Sequence, residues 1–289
     1  MKFYNYKLLT FLFACLFFLT SVKAQKMTAE EVLAKHLESI GTKENHAAVK
    51  NQIIFHDIEF NQKGSTAVIK GKGLILSSGE KSLWGMNLNS NDYPQDQFGY
   101  NGKDTKVGYA RPGVRSIIGA FIISYNDFLK EGLLGGTLSS SWALLNAESK
   151  KSKLSYEGTK TIDGKDTHVL SFSPKGGSDL SVKMYFDKQT FQHLRTEYNR
   201  VIAAVPGETV DGSGKISPER YRLVEDFSKH TKMGNLTLPA FYKLSYSYST
   251  NAAVNVAGKS NREVEWVFNV TNYSFNQPLD ETSFDINVK

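Results

Sequence analysis

Six histidines, at positions 36, 46, 56, 168, 193 and 230, are the side chains best suited to proton transfer or metal ligation in this chain, and their spacing arranges them for neither. No His-Glu-x-x-His run puts two imidazoles on one helical face, and no Gly-x-Ser-x-Gly elbow presents a nucleophile. His36 falls on the apolar face of a helical stretch and His168 sits in a strand beside Thr167 and Val169, so both read as core histidines satisfied by a hydrogen bond. Asp211-Gly212-Ser213-Gly214-Lys215 lacks the Gly-Lys-Ser/Thr ending of a phosphate loop and the alternating acids of an EF-hand, and reads as a flexible turn. The one cysteine, Cys15, lies in an apolar leader. We therefore expect no catalytic residue, no metal and no cofactor.

Apolar surface is the more informative chemistry. Trp84, Met86 and Leu88 alternate with Leu83 and Gly85; Tyr242, Leu244, Tyr246 and Tyr248 share a face, as do Val264, Trp266, Phe268 and Val270. Between Val114 and Asn146 the chain carries Ile117-Ile118, Phe121-Ile122, Leu133-Leu134 and Trp142, punctuated by Gly119 and Gly135-Gly136. That is more apolar area than one helical stripe can hide. Such walls suit a greasy ligand selected by shape, with thioethers at Met86 and Met184 adapting to it. The expected ligand-contacting set is Trp84, Met86, Leu88, Ile117, Ile118, Phe121, Ile122, Leu133, Leu134, Trp142, Met184, Tyr246 and Trp266.

What must hold these side chains is a sheet. Residues 154–198 spell out antiparallel strands joined by tight turns, with Asp163-Gly164 supplying the positive φ of a two-residue hairpin. Leu180, Val182, Met184 and Phe186 form one face of a strand whose other face carries Ser181, Lys183 and Tyr185. Earlier strands are predicted at about 50–60, 65–77, 81–90, 97–102 and 105–110, the last two split by Asn101-Gly102, and later ones at about 219–229, 236–249, 261–275 and 283–288. Thr28-Ala29-Glu30-Glu31 is a capping box, followed by apolar residues at helical spacing from Ala29 to Ile40 and by Gly41 at the C-cap. The predicted order is helix, about five strands, an apolar helical insert at about 111–150, and a second meander, all in one domain spanning 25–289.

Residues 1–24 have the form of a signal peptide: Lys2 and Lys7 precede the apolar run Leu8–Leu19, and Val22-Lys23-Ala24 ends in small residues suited to cleavage. Leu12-Phe13-Ala14-Cys15 has the outline of a lipoprotein box, but the apolar run continues past the cysteine through Phe18. Removing this leader takes away three lysines and no acid, leaving 32 basic residues against 29 acidic ones, a net charge of about +3. Those charges are interspersed, which argues against nucleic acid as a partner.

The chain resembles the LolA/LolB-like superfamily of periplasmic lipoprotein carriers. The resemblance rests on Ala29-Glu30-Glu31-Val32-Leu33-Ala34-Lys35-His36, on Gly158 through Asp163-Gly164 to Leu170, on Tyr185-Phe186-Asp187 with Thr190 and Arg195, on Glu225-Asp226-Phe227 leading to Leu238-Pro239, and on Asn276-Gln277-Pro278-Leu279-Asp280-Glu281-Thr282-Ser283-Phe284-Asp285. The insert at 111–150 and a polar loop at 203–218 exceed the usual length. The resemblance implies a mainly β (α+β) fold, an open antiparallel β-barrel of about 11 strands with an N-terminal helix and the apolar insert as lid. It further implies a non-enzymatic monomeric carrier of a lipid or lipoprotein acyl chain in a Gram-negative periplasm, with an envelope protein as a possible partner. The alternative is an interaction module whose barrel is filled and whose insert docks on a membrane or protein partner.

Overall fold

The Thr28 side chain accepts from the Glu31 amide at 3.2 Å while the Glu31 carboxylate accepts from the Thr28 amide at 2.9 Å, and this reciprocal cap starts helix α1, Ala29–Ile40. A computed structural model of the protein describes residues 27–125, 127–203, 218–250 and 261–286. The expected leader with Cys15 and the turn at Asp211 to Lys215 lie outside these residues. Helix α1 buries Ala29, Val32, His36 and Ile40 and leaves Leu33 and Leu37 half-buried. Gly41 caps it through an N–H to the Leu37 carbonyl, with φ of 169°. That is extended backbone and not the left-handed cap expected from a glycine; what Gly41 gives is room, since a Cβ there would stand 3.0 Å from Leu236 Cδ2. A short α2, Lys43–Ala48, follows.

Among the described residues twelve antiparallel strands make one sheet, one strand more than the expected number of about 11. They are β1 Asn51–Gln62, β2 Val68–Ser78, β3 Lys81–Leu88, β4 Gln95–Tyr100, β5 Thr105–Val107, β6 Lys153–Ile162, β7 Lys165–Ser173, β8 Ser181–Asp187, β9 His193–Ile202, β10 Glu219–Met233, β11 Leu236–Thr250 and β12 Arg262–Phe275. The spatial order is β5-β4-β3-β2-β1-β12-β11-β10-β9-β8-β7-β6. Two meanders are thus joined where the first strand pairs with the last, and β5 and β6 are the free edges of an unclosed barrel. The period-two alternation sets the faces: in β1, Gln52, Ile54, His56, Ile58 and Phe60 are buried and point inward. The Asp163-Gly164 turn has φ of 47° and 77°, the positive pair a two-residue hairpin requires, with Ile162 opposite Lys165.

Two strand expectations need correction. Asn101-Gly102 opens a longer loop between β4 and β5, because the Asn101 side chain accepts from the amides of Lys103 and Asp104 and the strands resume only at Thr105. The strand expected at 283–288 is instead a 3-10 turn at Glu281–Phe284, which lays Phe284 and Ile286 on the convex face against Leu76 and Leu83.

The chain crosses from β5 to β6 through the insert: α3 Ile117–Ser124, α4 Asp127–Lys130, 3-10 turns at Gly136–Leu138 and Ala143–Asn146, and α5 Ala147–Lys150. It lies inside the curve of the sheet. Ile118, Ile122, Leu138 and Trp142 are wholly buried and join the inward side chains of the strands in a single core. The surplus apolar area that the sequence shows is explained by this position, since the sheet covers the insert on several sides at once. Among the described residues no helix is long and apolar enough to cross a membrane.

Candidate functional site

Inside the sheet, the tip of the insert is held by a carboxylate. Leu223, Glu225 and Phe227 are successive inward positions of β10, so strand parity alone carries Glu225 into the core, where it is 0% exposed. Glu225 Oε1 accepts from the Gly135 amide at 2.6 Å and from the Tyr242 hydroxyl at 2.8 Å, while Oε2 lies 2.7 Å from the Tyr198 hydroxyl. The Tyr198 hydroxyl also donates to the Leu133 carbonyl. A phenol has one proton and cannot donate to both, so the arrangement closes when Glu225 is protonated and donates to Tyr198, which in turn donates to Leu133. Burial drives the same outcome, raising the Glu225 pKa from 4.5 to about 7 against the opposing hydrogen bonds.

A folded pKa above the unfolded one means that stability from this group is complete below about 4.5 and is lost as pH rises through 7. Glu225→Gln retains the donor and acceptor pattern of the neutral acid. It is expected to stabilise the protein at pH 8 by up to about 3 kcal/mol and to remove this titration. Urea unfolding of both proteins at pH 5 and pH 8 checks this, and an equal or lower stability of the variant at pH 8 refutes it.

A second buried carboxylate holds the start of the insert. Asp96 on β4 accepts from Tyr93 Oη at 2.7 Å and from the Ser116 hydroxyl that caps α3, and Trp266 Nε1 donates to Tyr93 Oη at 3.2 Å. Burial raises the Asp96 pKa. The Ser140 amide donates to Ser77 Oγ, and Gln52 Nε2 donates to the Thr137 carbonyl, completing the attachment to β1 and β2.

Histidines cluster beneath Trp142. His36 Nδ1 lies 2.8 Å from the Phe191 carbonyl while its Nε2 is buried without a partner, and the His193 ring stacks on Trp142 at 4.9 Å between centroids. Burial lowers the pKa of His36 to about 3 and of His230 to about 4, and takes His193 well below its usual value. His168 is bonded to the Tyr156 hydroxyl. Among the described residues no group of three or more His, Cys, Asp or Glu is placed to hold a metal ion.

Several voids flank the insert, among them one of about 240 Å³ where Tyr125, Phe128 and Leu133 face Pro174 and Leu180. A groove of about 1190 Å³ lies between α1, α2, the end of the insert and the start of β11, and its apolar lining includes Leu33, Leu37, Val49, Leu145 and Leu154, all half-buried. A cleft of about 380 Å³ lies where β9 and β11 end and β10 and β12 begin, bounded on one side by Ile117, Ala120, Phe121 and Ser124 of α3. The structure brings all thirteen sequence-predicted ligand residues into one core or its border, and four of them, Ile117, Phe121, Leu133 and Tyr246, line a described void. Trp84, Met86, Leu88, Ile118, Ile122, Leu134, Trp142, Met184 and Trp266 are buried in the shared core.

Sequence reasoning missed Arg200 and Arg262, which line the cleft, and the role of Glu225. The signal was present as a charged residue at an inward position of an otherwise apolar alternation. It also did not single out the groove side of α1, where Leu33 and Leu37 are half-buried.

No protein-family model and no curated protein matches this sequence. Among solved structures the chain is similar to a LolA superfamily protein from Nitrosomonas europaea, at 13% identity and a TM-score of 0.47, over 90% of this chain and 98% of that one. It is also similar to a structure described as an outer membrane lipoprotein-sorting protein domain from Vibrio parahaemolyticus, at 14% identity and a TM-score of 0.45, over 89% of this chain and 97% of that one.

Proposed function

We propose that this protein is an exported, non-enzymatic carrier that shields an acyl chain of a lipid or lipoprotein in the groove beneath α1. One observation carries the reading: about 1190 Å³ of space is walled by half-buried leucines and a valine that pack against the core on one side and face the groove on the other. Transfer of a chain into such a space is worth about 0.8 kcal/mol per CH₂ before the costs of binding. The resemblance of the sequence to periplasmic carriers supports the same compartment and cargo class. A docking module with a filled interior would leave a groove of this size without a purpose.

Ala34 is exposed on α1 and borders the groove, away from the buried face formed by Val32 and His36. Ala34→Trp is expected to fill part of the groove and to weaken uptake of a fluorescent long-chain fatty acid about tenfold, with little change in Tm. Native mass spectrometry of gently purified protein should show bound lipid. Unchanged uptake by Ala34→Trp, or a protein that takes up no fatty acid at all, overturns the reading.

A further inference from the structure

Four side chains cross the sheet in a single row at the 380 Å³ cleft. Arg200 on β9 is the register partner of Tyr221 on β10, Tyr221 of Tyr248 on β11, and Tyr248 of Arg262 on β12. All four stand at inward positions, in phase with Tyr198, Leu223, Tyr246 and Val264 one step deeper. Strand parity therefore aims two guanidiniums into the concave side, where each next inward neighbour is a core residue. A charge placed only for solubility belongs on the convex face.

Opposite the row stands an apolar wall. Phe121 packs 4.7 Å from the Tyr125 ring and 6.0 Å from Tyr246, and Ile117 and Ala120 continue the same face of α3. Carboxylates near the row are already engaged: Asp179 with Arg200 at 2.6 Å, and Glu219 with the Tyr221 hydroxyl at 2.5 Å. Among the described residues no carboxylate lies within ion-pair distance of Arg262, and none lines the cleft. The Tyr221 proton is held by Glu219, and burial raises the pKa of Tyr246, which keeps its own proton.

We infer that this cleft binds an anionic amphiphile, its carboxylate or phosphate held by Arg200 and Arg262, and its apolar part laid against Ile117 and Phe121. The site is separate from the groove beneath α1 and does not depend on what the groove carries. Arg200 is held in place by stacking over Tyr125 at 5.1 Å and by Asp179, which is exposed and able to give way to a ligand anion. Arg262 is exposed and meets the ligand at the rim.

Calorimetric titration of the whole protein with dodecyl phosphate, dodecyl maltoside and inorganic phosphate, each below any micelle-forming concentration, tests the inference. Dodecyl phosphate is expected to bind about tenfold tighter than the maltoside. Arg262→Gln should reduce that preference about fivefold and leave maltoside binding unchanged, and Ala120→Trp, at an exposed position of α3, should weaken dodecyl phosphate about tenfold. Equal affinity for the charged and neutral detergents, or no effect of Arg262→Gln, overturns it. Inorganic phosphate binding as tightly as dodecyl phosphate removes the apolar half and leaves a site for a free anion. Loss of dodecyl phosphate binding on Ala34→Trp, with Ala120→Trp unaffected, assigns the ligand to the groove and overturns the cleft while sparing the acyl-chain reading.

Discussion

Gly135→Ala is expected to unseat the insert and cost about 3 kcal/mol or more of stability. Gly135 has φ of 87°, and a Cβ built on it would stand 2.7 Å from Trp84 Cζ2. The indole has nowhere to go, since Trp84 is 1% exposed and packs against Phe98, Tyr242 and Phe268. Backing away instead would lengthen the Gly135 amide to Glu225 hydrogen bond and release the tip of the insert. Gly164→Ala is the control: its φ is 77°, but nothing lies within 4 Å of the added methyl, so only backbone strain of about 1 kcal/mol remains. Guanidinium unfolding midpoints compare the two, and equal losses would show that the core accommodates the methyl group.

Acid is expected to destabilise the protein steeply below pH 6.5. Burial lowers the pKa of His36 and His56 to about 3 and of His230 to about 4, and takes His193 well below its usual value. Their folded pKa values lie below the unfolded value of 6.5, so the stability they contribute is complete above 6.5 and is lost as pH falls toward the folded values. Each costs about 1.4 kcal/mol per pH unit, so His36, His56 and His230 alone remove on the order of 4 kcal/mol by pH 5.5. Glu225 and Asp96, both raised by burial, work in the opposite direction, but the lowered histidines, which include His168, outnumber them. His56 isolates one share of the effect: neither ring nitrogen has a hydrogen-bond partner, and the ring lies against Phe268. His56→Leu should gain about 1–3 kcal/mol at pH 7 and flatten the acid slope by one proton. Urea unfolding at pH 7.5, 6.5 and 5.5 checks both, and a level profile for the wild-type protein would refute the assignment.

Most of the sheet was legible in the sequence because period-two alternation states which side chains share a face without any tertiary information. The capping box at Thr28 and the hairpin at Asp163-Gly164 are local devices that the fold keeps unchanged. Asn101-Gly102 was misjudged because the Asn101 side chain competes for the turn amides, which the dipeptide alone does not reveal. The place of the insert was legible only as an excess of apolar area: composition demands cover but does not say on how many sides it comes. The candidate site suffered from the same ambiguity. Inward parity assigns Trp84 and Trp266 to the concave side, yet whether such a residue meets a void or the insert depends on a segment far away in sequence. Arg200 and Arg262 looked like ordinary charges at strand ends until the register placed them in one row.

The pairing of β1 with β12 governs the order of assembly. Gln52 lies opposite Phe275, so the ladder that joins the two meanders closes a loop that contains nearly every other contact of the chain. Each hairpin can form early and locally, but the apolar insert gains its full enclosure only after the final strand has emerged and returned to the first. High contact order of this kind makes folding slow and leaves Phe121, Leu134 and Trp142 open to intermolecular association in the meantime. A chain cut short before Arg262 would keep most of its hairpins and still lack the strand that encloses them.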